Sequence, residues 1–329
     1  MKDCIKIVID TKGSDNGSGE IIKGIAKALE KNDRLAFLLV GDEAAIHDEC
    51  VNNNISFDRV EILNAADEIT NYDNPAEAVF GKPESSMMKA MATLAERDDL
   101  FGMITAGNTG ALIAGTIRYL PRKDRVRPVL AAVLPAASGG FTCLVDTGAT
   151  VDCTPSNLVH FAHLGSEFMR DMYGITVPRV GLLSNGAEET KGNKLVKEAH
   201  VLLKQDSEIN FVGNIEGNKA LSGDCDVLVC DGFAGNQVLK VTEGTATRII
   251  TDIVKYAKRT QSREIMELVG SLMSVYDISS LGGGVILGCA KPVIKARGSS
   301  GADTFVNTSQ MLFNMAENRS IFDSEKNKI

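Results

Sequence analysis

The chain has 329 residues, of which 44% are apolar and 24% charged, the profile of an ordinary folded protein with enough length for a sizeable core. A formal net charge of −8 argues against broad nucleic-acid binding, which draws most of its affinity from a basic face. No uncharged apolar run reaches the roughly 18 residues of a membrane span, and Met1-Lys2-Asp3 leads directly into "CIKIVID" without the layout of a signal peptide, so the expected location is cytoplasmic.

In chain order, ten short apolar runs read as strands: 5–10, 35–41, 60–65, 102–107, 129–135, 141–148, 179–186, 209–215, 226–232 and 291–296. Several are nearly continuous Val, Ile, Leu and Ala, as in strands covered on both faces. Helical patterns fall between them. Ile21, Ile22, Ile25, Ala26 and Leu29 form one stripe. Met87, Met88, Met91 and Leu94 form another, a methionine cluster that reads as core filling. This alternation predicts an α/β fold with helices on both faces of the sheet. Only Ala136-Ala137-Ser138-Gly139-Gly140 separates "VLAAVLP" from "FTCLVDTG". Five small residues can close a hairpin but cannot make a parallel crossover, so the sheet is expected to be mixed. Further on, Ala246, Ile249, Ile250, Ile253, Val254 and Ala257 repeat at helical spacing, as do Ile265, Leu268, Val269, Leu272 and Met273. They predict a helical hairpin near 244–276, suited to core or dimer packing or to touching a membrane. The tail after Arg319 is polar and expected to fray.

Seven cysteines are scattered without a C-x-x-C pair, which fits reduced thiols. His160 and His163 lie three apart on a predicted helix but lack a third ligand, so no metal is expected. The informative pattern follows the strands. "TKGSDNG", "NTG", "DTGATVD", "SNGAEETKGN", "IEG", "FAGN" and "RGSSG" place Gly, Asn, Ser, Thr and Asp at carboxyl ends, where open α/β sheets bind ligands. Such loops let backbone amides at helix N-termini approach an anion. Known motifs are missing: no G-x-x-x-x-G-K-[ST], no G-x-G-x-x-G after the first strand and no G-x-S-x-G elbow.

These residues carry a resemblance. "ID-x-x-G-x-DN" (9–16), "VGDE" (40–43), "ESSM" (84–87), "AGNTGA" (106–111), "DTGATVDC" (146–153), "GLLSNGAEETKGN" (181–193), "FVGNIEG" (211–217), "VCDGFAGNQVLK" (229–240) and "VIKARGSS" (293–300) resemble the phosphate acyltransferase family PlsX of bacterial phospholipid synthesis. They run from Asp10 to about Ala302. The resemblance implies that acyl-[acyl carrier protein] and inorganic phosphate give acyl phosphate and free carrier protein. It implies a three-layer α/β/α fold like that of the isocitrate and isopropylmalate dehydrogenases, with one mixed, mostly parallel sheet of about ten strands. It also implies a homodimer, no cofactor, no metal and no nucleic acid. The acyl phosphate would pass to a membrane glycerol-3-phosphate acyltransferase (PlsY-like), with possible peripheral contact at the inner face of the cell membrane. The whole chain, 1–329, is expected to form a single unit of two intertwined lobes.

On that resemblance, phosphate attacks the thioester directly, and the protein positions it and stabilises the oxyanion. Asn108, Thr109 and Gly110, with Gly107, would cradle phosphate at the helix start "TGALIAGTI". Lys191 with Asn193 would neutralise phosphate or oxyanion. Asp231, Gly232 and Asn236 would form a second wall, and Lys295 and Arg297 would add positive charge. Asp10, Gly13, Asp15 and Asn16 would organise the first loop. The alternative for each acid is turn capping, favoured for Asp146. Cys143, Cys153 and Cys230 could accept an acyl group, although small buried thiols are the commoner case. Two basic stretches could steer the acidic carrier protein: Arg118, Arg122, Lys123, Arg125 and Arg127, and Lys255, Lys258, Arg259 and Arg263. Solvated charged faces are the plainer reading.

The chain departs from the family pattern in places. Where the family reads Asp-Ala-Met-Gly-Gly-Asp, Asp10-Thr11-Lys12-Gly13-Ser14-Asp15 stands here; Gly17-Ser18 replaces Ala-Pro, Arg297 replaces a His, and Phe80-Gly81-Lys82 reduces a basic pair. These changes bear on acyl-chain preference and donor. The alternatives are a phosphotransacetylase-like enzyme using acyl-CoA or a short acyl group, a subunit of a larger acetyl phosphate-forming complex, or a non-catalytic phosphate or carrier-binding protein.

Overall fold

The computed structural model describes residues 4–121, 127–276 and 283–318. In chain order the elements are β1 (Ile5–Asp10), α1 (Gly17–Lys31), β2 (Leu35–Gly41), α2 (Glu43–Asn52), β3 (Val60–Asn64), α3 (Pro75–Gly81), α4 (Ser86–Glu96), β4 (Leu100–Thr105) and α5 (Thr109–Tyr119). Then come β5 (Val129–Pro135), β6 (Phe141–Val145), α6 (Pro155–Tyr173), β7 (Arg179–Ser184), α7 (Lys194–Gln205), β8 (Asn210–Glu216), β9 (Val227–Val229), α8 (Gly232–Thr260) and α9 (Arg263–Tyr276). β10 (Gly284–Leu287), β11 (Val293–Lys295) and α10 (Ala302–Asn318) close the described chain. The fold class is three-layer α/β/α with mixed, mostly parallel strands, as expected.

The chain divides into two compact units, Met1–Pro128 with Gly282–Ile329, and Val129–Leu281. In the first, the strand order is β3-β2-β1-β4-β11-β10. All neighbours are parallel except β10, which runs against β11. Ile9 pairs with Ile104, and Lys295 pairs with Thr105. This register brings the carboxyl ends of β1, β4 and β11 side by side. The strands are buried because helices cover them. Ile21, Ile22, Ile25 and Leu29 of α1 and Met87, Met88, Met91 and Leu94 of α4 are all buried, and each such side chain contributes about 1.5–3 kcal/mol. Only the absent side chain of Gly24 lets α1 approach α10: a Cβ there would lie 2.5 Å from Ala302 O and 2.7 Å from Phe305 Cβ.

In the second unit the order is β5-β6-β9-β7-β8. The predicted hairpin is present: β5 and β6 are antiparallel, and the remaining neighbours are parallel. Gly139 and Gly140 turn it with φ of 86° and 84°, a conformation glycine adopts without steric cost. The helical hairpin is formed by α8 and α9, with α8 beginning earlier than predicted, at Gly232. The two helices leave Ile249, Tyr256, Leu268 and Met273 exposed. No described helix is long and apolar enough to cross a membrane.

Eleven strands stand among the described residues where ten were predicted. The addition, β10, is four residues inside a glycine-rich stretch, too short to stand out as a periodic run. Several predicted strands end early. Ala106-Gly107, Asp146-Thr147-Gly148 and Cys230-Asp231-Gly232 follow their strands as turns and caps, because small residues serve both states and hydropathy does not separate them. Gly24→Ala is expected to lower stability by about 1–3 kcal/mol despite alanine's better helix propensity, read as a reduced urea midpoint at unchanged slope.

Candidate active site

In the first unit the strand ends build a connected edge. Asp10, at the end of β1, is buried. Its carboxylate accepts from Ser86 Oγ at 2.6 Å, Thr105 Oγ1 at 2.7 Å and Lys12 N at 3.2 Å. Burial pushes its pKa up to about 6, and these three donors oppose the rise. Gly13 has φ of 77°, and a Cβ there would meet Gly107 Cα at 2.6 Å, so this close approach of the first loop to the 106–108 turn requires glycine. Ser14 Oγ and Asp15 N donate to Gly298 O, and Asn16 Nδ2 donates to Ser299 O and Ser300 O. Asn16 thus straps the first loop to the 297–300 loop. Asp15 is exposed, with its carboxylate beside Gly298.

The turn into α5 differs in detail from the expectation. Asn108 is buried and caps the helix: Oδ1 accepts from Ala111 N at 3.0 Å, and Nδ2 donates to Thr70 O at 3.1 Å. Its side-chain oxygen is therefore engaged by the helix. The amides of Thr109 and Gly110 have no protein acceptor among the described residues; Thr109 is half-buried and Gly110 exposed. These first-turn amides, not the Asn108 side chain, are the groups left open at the start of α5. Lys295 Nζ donates to Ala106 O at 3.0 Å and to Ala296 O, so it braces the backbone of the turn. Arg297 is half-buried, and burial lowers its pKa. Lys12 places its ammonium on Ala66 O and lines a separate cleft of about 250 Å³ with Ser14, Gly17, Ser18, Asp42 and Glu68.

The second unit has its own edge. Asp146 is buried and accepts from the amides of Leu130, Gly148, Ala149 and Thr150; it organises a turn, the role favoured from the sequence. Asn193 and Asp231 both cap helices, accepting from Val196 N at 2.9 Å and Ala234 N at 2.8 Å. Gly232 N donates to Thr150 O, and a Cβ at Gly235 would lie 1.9 Å from Asp146 O, so α8 starts hard against that turn. Asn193 and Asp231 share a cleft of about 300 Å³ with Ser184, Asn185, Leu158 and Leu183. Ser184 and Asn185 open the "SNGAEETKGN" loop read from the sequence, at the very end of β7, without a role of their own assigned there. Asn185 Oδ1 accepts from Gly192 N at 2.8 Å and shapes the following loop. Lys191 is exposed on that loop, its stem folded over Gly186, and is not part of the cleft lining. Asn236 is half-buried on α8 and also outside that lining.

Burial holds Cys143 up to about 12 and Cys230 well above the ordinary thiol range, so neither presents a thiolate near neutral pH. His163 bonds Asp206 at 2.8 Å. Of the first basic stretch, Arg118 is tied down: its guanidinium stacks on Phe80 at 4.5 Å and donates to Val79 O at 2.6 Å. Arg122, Lys123 and Arg125 lie outside the described residues, and Arg127 is exposed. In the second stretch, Arg259 lies over Tyr256, Lys255 is 3.9 Å from Asp252, Arg263 pairs with Glu267, and Lys258 is exposed.

The family described as "Fatty acid synthesis protein" matches residues 5–321. A phosphate acyltransferase of Clostridium novyi is 37% identical, covering 99% of this chain and 98% of its own. One from Halothermothrix orenii is 40% identical, covering 92% of each. Among solved structures, a phosphotransacetylase from Streptococcus pyogenes superposes with a TM-score of 0.64 at 15% identity, covering 96% of this chain and 95% of its own. The EutD phosphotransacetylase from Staphylococcus aureus gives 0.62 at 16% identity, covering 96% and 94%. At those identities the structures speak for the fold alone. The family match and the near-complete relatives define an acyltransferase enzyme. The chain belongs to the phosphate acyltransferase (fatty acid synthesis protein) family.

Asp10 supplies a pH test. Its folded-state pKa of about 6 lies above the unfolded value near ~4. Between the two the folded chain binds more protons, so stability falls as pH rises through that window. Asp10→Asn lacks this contribution. The stability of the wild type relative to Asp10→Asn is expected to drop by about 1–1.5 kcal/mol from pH 5 to 7.5, measured by paired urea denaturations; a constant difference would contradict the burial effect.

Proposed function

We propose that the chain transfers the acyl group of acyl-[acyl carrier protein] to inorganic phosphate, giving acyl phosphate and free carrier protein for phospholipid synthesis. The observation that carries this reading is the start of α5, where capping by Asn108 leaves the Thr109 and Gly110 amides to an anion inside a full-length match to phosphate acyltransferases. A phosphate oxygen attacks the thioester carbonyl carbon, the tetrahedral oxyanion collapses, the C–S bond breaks and the carrier thiolate takes a proton. No covalent enzyme intermediate is needed, and the high thiol pKa values of Cys143 and Cys230 support that. Gly107 and Gly13 allow the tight backbone that presents the cradle. The family resemblance gives Lys191 the part of neutralising oxyanion or phosphate. Asn193 and Asp231 set the helix starts on either side of their cleft, with Gly232 and Asn236 following on α8. Lys295 acts through the turn it braces, and Arg297 adds charge nearby in its own unit.

The same reading includes a homodimer, an acidic carrier protein steered by one of the two basic stretches, that of Arg118–Arg127 or that of Lys255–Arg263, and delivery of acyl phosphate to a PlsY-like membrane acyltransferase. The exposed apolar side chains of α8 and α9 support the peripheral contact with the inner membrane face that such delivery would use.

Lys191→Ala is expected to cut acyl phosphate formation, trapped as hydroxamate, by two orders of magnitude or more; a rate within a few-fold of wild type removes Lys191 from the mechanism. The same assay with acetyl-CoA separates a short-chain phosphotransacetylase from a carrier-dependent enzyme. Leu268 is 52% exposed, so Leu268→Glu leaves the fold intact and is expected to reduce co-sedimentation with anionic vesicles. Unchanged sedimentation would take α9 out of the membrane contact.

A further inference from the structure

Two hydroxyls and one carboxylate beneath the α5 turn have a fixed proton arrangement. Thr105 Oγ1 accepts from Gly107 N at 3.0 Å. A hydroxyl has a single proton, so that of Thr105 points to Asp10 Oδ2, 2.7 Å away. Oδ2 must therefore accept. Oδ1 accepts from Ser86 Oγ, on the first residue of α4, and from Lys12 N in the first loop. One buried carboxylate thus joins the ends of β1 and β4, the start of α4 and the turn at Gly107. Only Asn108 separates Gly107 from Thr109, where the open amides begin. The turn is braced on its other atoms as well, by Lys295 on Ala106 O and by Ala296 N on Thr105 O. Gly107 N has no other acceptor among the described residues.

We propose that Thr105 and Asp10 are positioning residues for phosphate: through the relay from Gly107 N–H to Thr105 hydroxyl to Asp10 carboxylate they fix the first turn of α5, and neither touches the substrate. This rests on the reading that phosphate binds at the Thr109 and Gly110 amides. The relay is directional. A valine at 105 keeps the shape and leaves Gly107 N–H and Asp10 Oδ2 each without a partner, whereas a serine keeps both bonds. An asparagine at 10 can still accept from Thr105 through its amide oxygen, but its NH2 then faces the Lys12 amide.

The test is steady-state kinetics of the full chain with inorganic phosphate and a long-chain acyl carrier protein thioester varied in turn. Thr105→Val is expected to raise the phosphate KM about tenfold or more, in line with two buried hydrogen-bond groups left unsatisfied, with the acyl-donor KM within twofold. Thr105→Ser is expected to restore the phosphate KM, and Asp10→Asn to fall between. A phosphate KM within twofold of wild type in Thr105→Val, or equal rises in both KM values, overturns the proposal while leaving the acyl transfer standing. A wild-type chain without phosphate-dependent turnover overturns the function itself. Amide hydrogen exchange of Gly107 reads the relay without turnover. It is expected to accelerate at least tenfold in Thr105→Val and to stay unchanged in Thr105→Ser; slow exchange in the valine variant overturns the relay.

Discussion

A carboxylate removed from water must be met by donors or lose its charge, because burying an unpaired ion costs several kcal/mol or more. Asp10 is fully buried, and its three donors come from three different segments. The first loop, the start of α4 and the end of β4 are held in place by the same two oxygens. The parallel register of β1 with β4, and of β4 with β11, makes this possible, since it lays three strand ends side by side. The Gly13–Gly107 approach, the Lys295 brace and the Asn108 cap are then built outward from that point. The cost of burial is visible in the raised pKa.

Helix capping accounts for much of what looked catalytic. Asn108, Asn193 and Asp231 each accept an amide from the third residue of the helix they precede. Short polar side chains at strand ends are what both a cap and a ligand site require. A cap also selects which groups stay open: with one first-turn amide satisfied by the side chain and the helix start fixed, the earlier amides remain without a helical partner. At 107–110 the Asn108 side-chain oxygen is taken by the cap, and the groups left open are the backbone N–H of Thr109 and Gly110.

The fold was legible to a large extent. The nearly continuous apolar runs at 5–10, 35–41 and 129–135 became fully or mostly buried strands, because burial on both faces leaves no polar alternation. The Met87–Leu94 stripe and the Ala136–Gly140 hairpin were equally clear, one from period and one from a connection too short for a crossover. β10 was not legible, since four residues among glycines carry no period. At the site, the turn-organising role of Asp146 could be anticipated from its "DTG" context. The loop opened by Ser184 and Asn185 was legible as "SNGAEETKGN", but the cleft they share was not, because it depends on where α6, α7 and α8 begin and on side chains far apart in sequence. Arg118 is exposed, yet its guanidinium lies over Phe80 and Tyr119 and donates to Val79 O, contacts that sequence spacing does not report.

Local chemistry along the chain was enough to establish the α/β class, the mixed strand direction and the membership in an acyltransferase family. Those properties depend on periodicity, connection length and ordered motifs, all of which are one-dimensional. Which atoms of the strand-end loops are bonded and which are left open was decided only by the tertiary structure. Thr105, a plain strand residue in the sequence, became the link between Asp10 and Gly107 because β1 and β4 are neighbours in the sheet. Lys295 became a brace because β11 lies beside β4, and Asn108 ties its own helix start to Thr70 O. Hydrogen-bond donors and acceptors are directional and act over about 3 Å, so their assignment requires the positions of residues that lie 95 apart in the chain, and no local pattern carries that information.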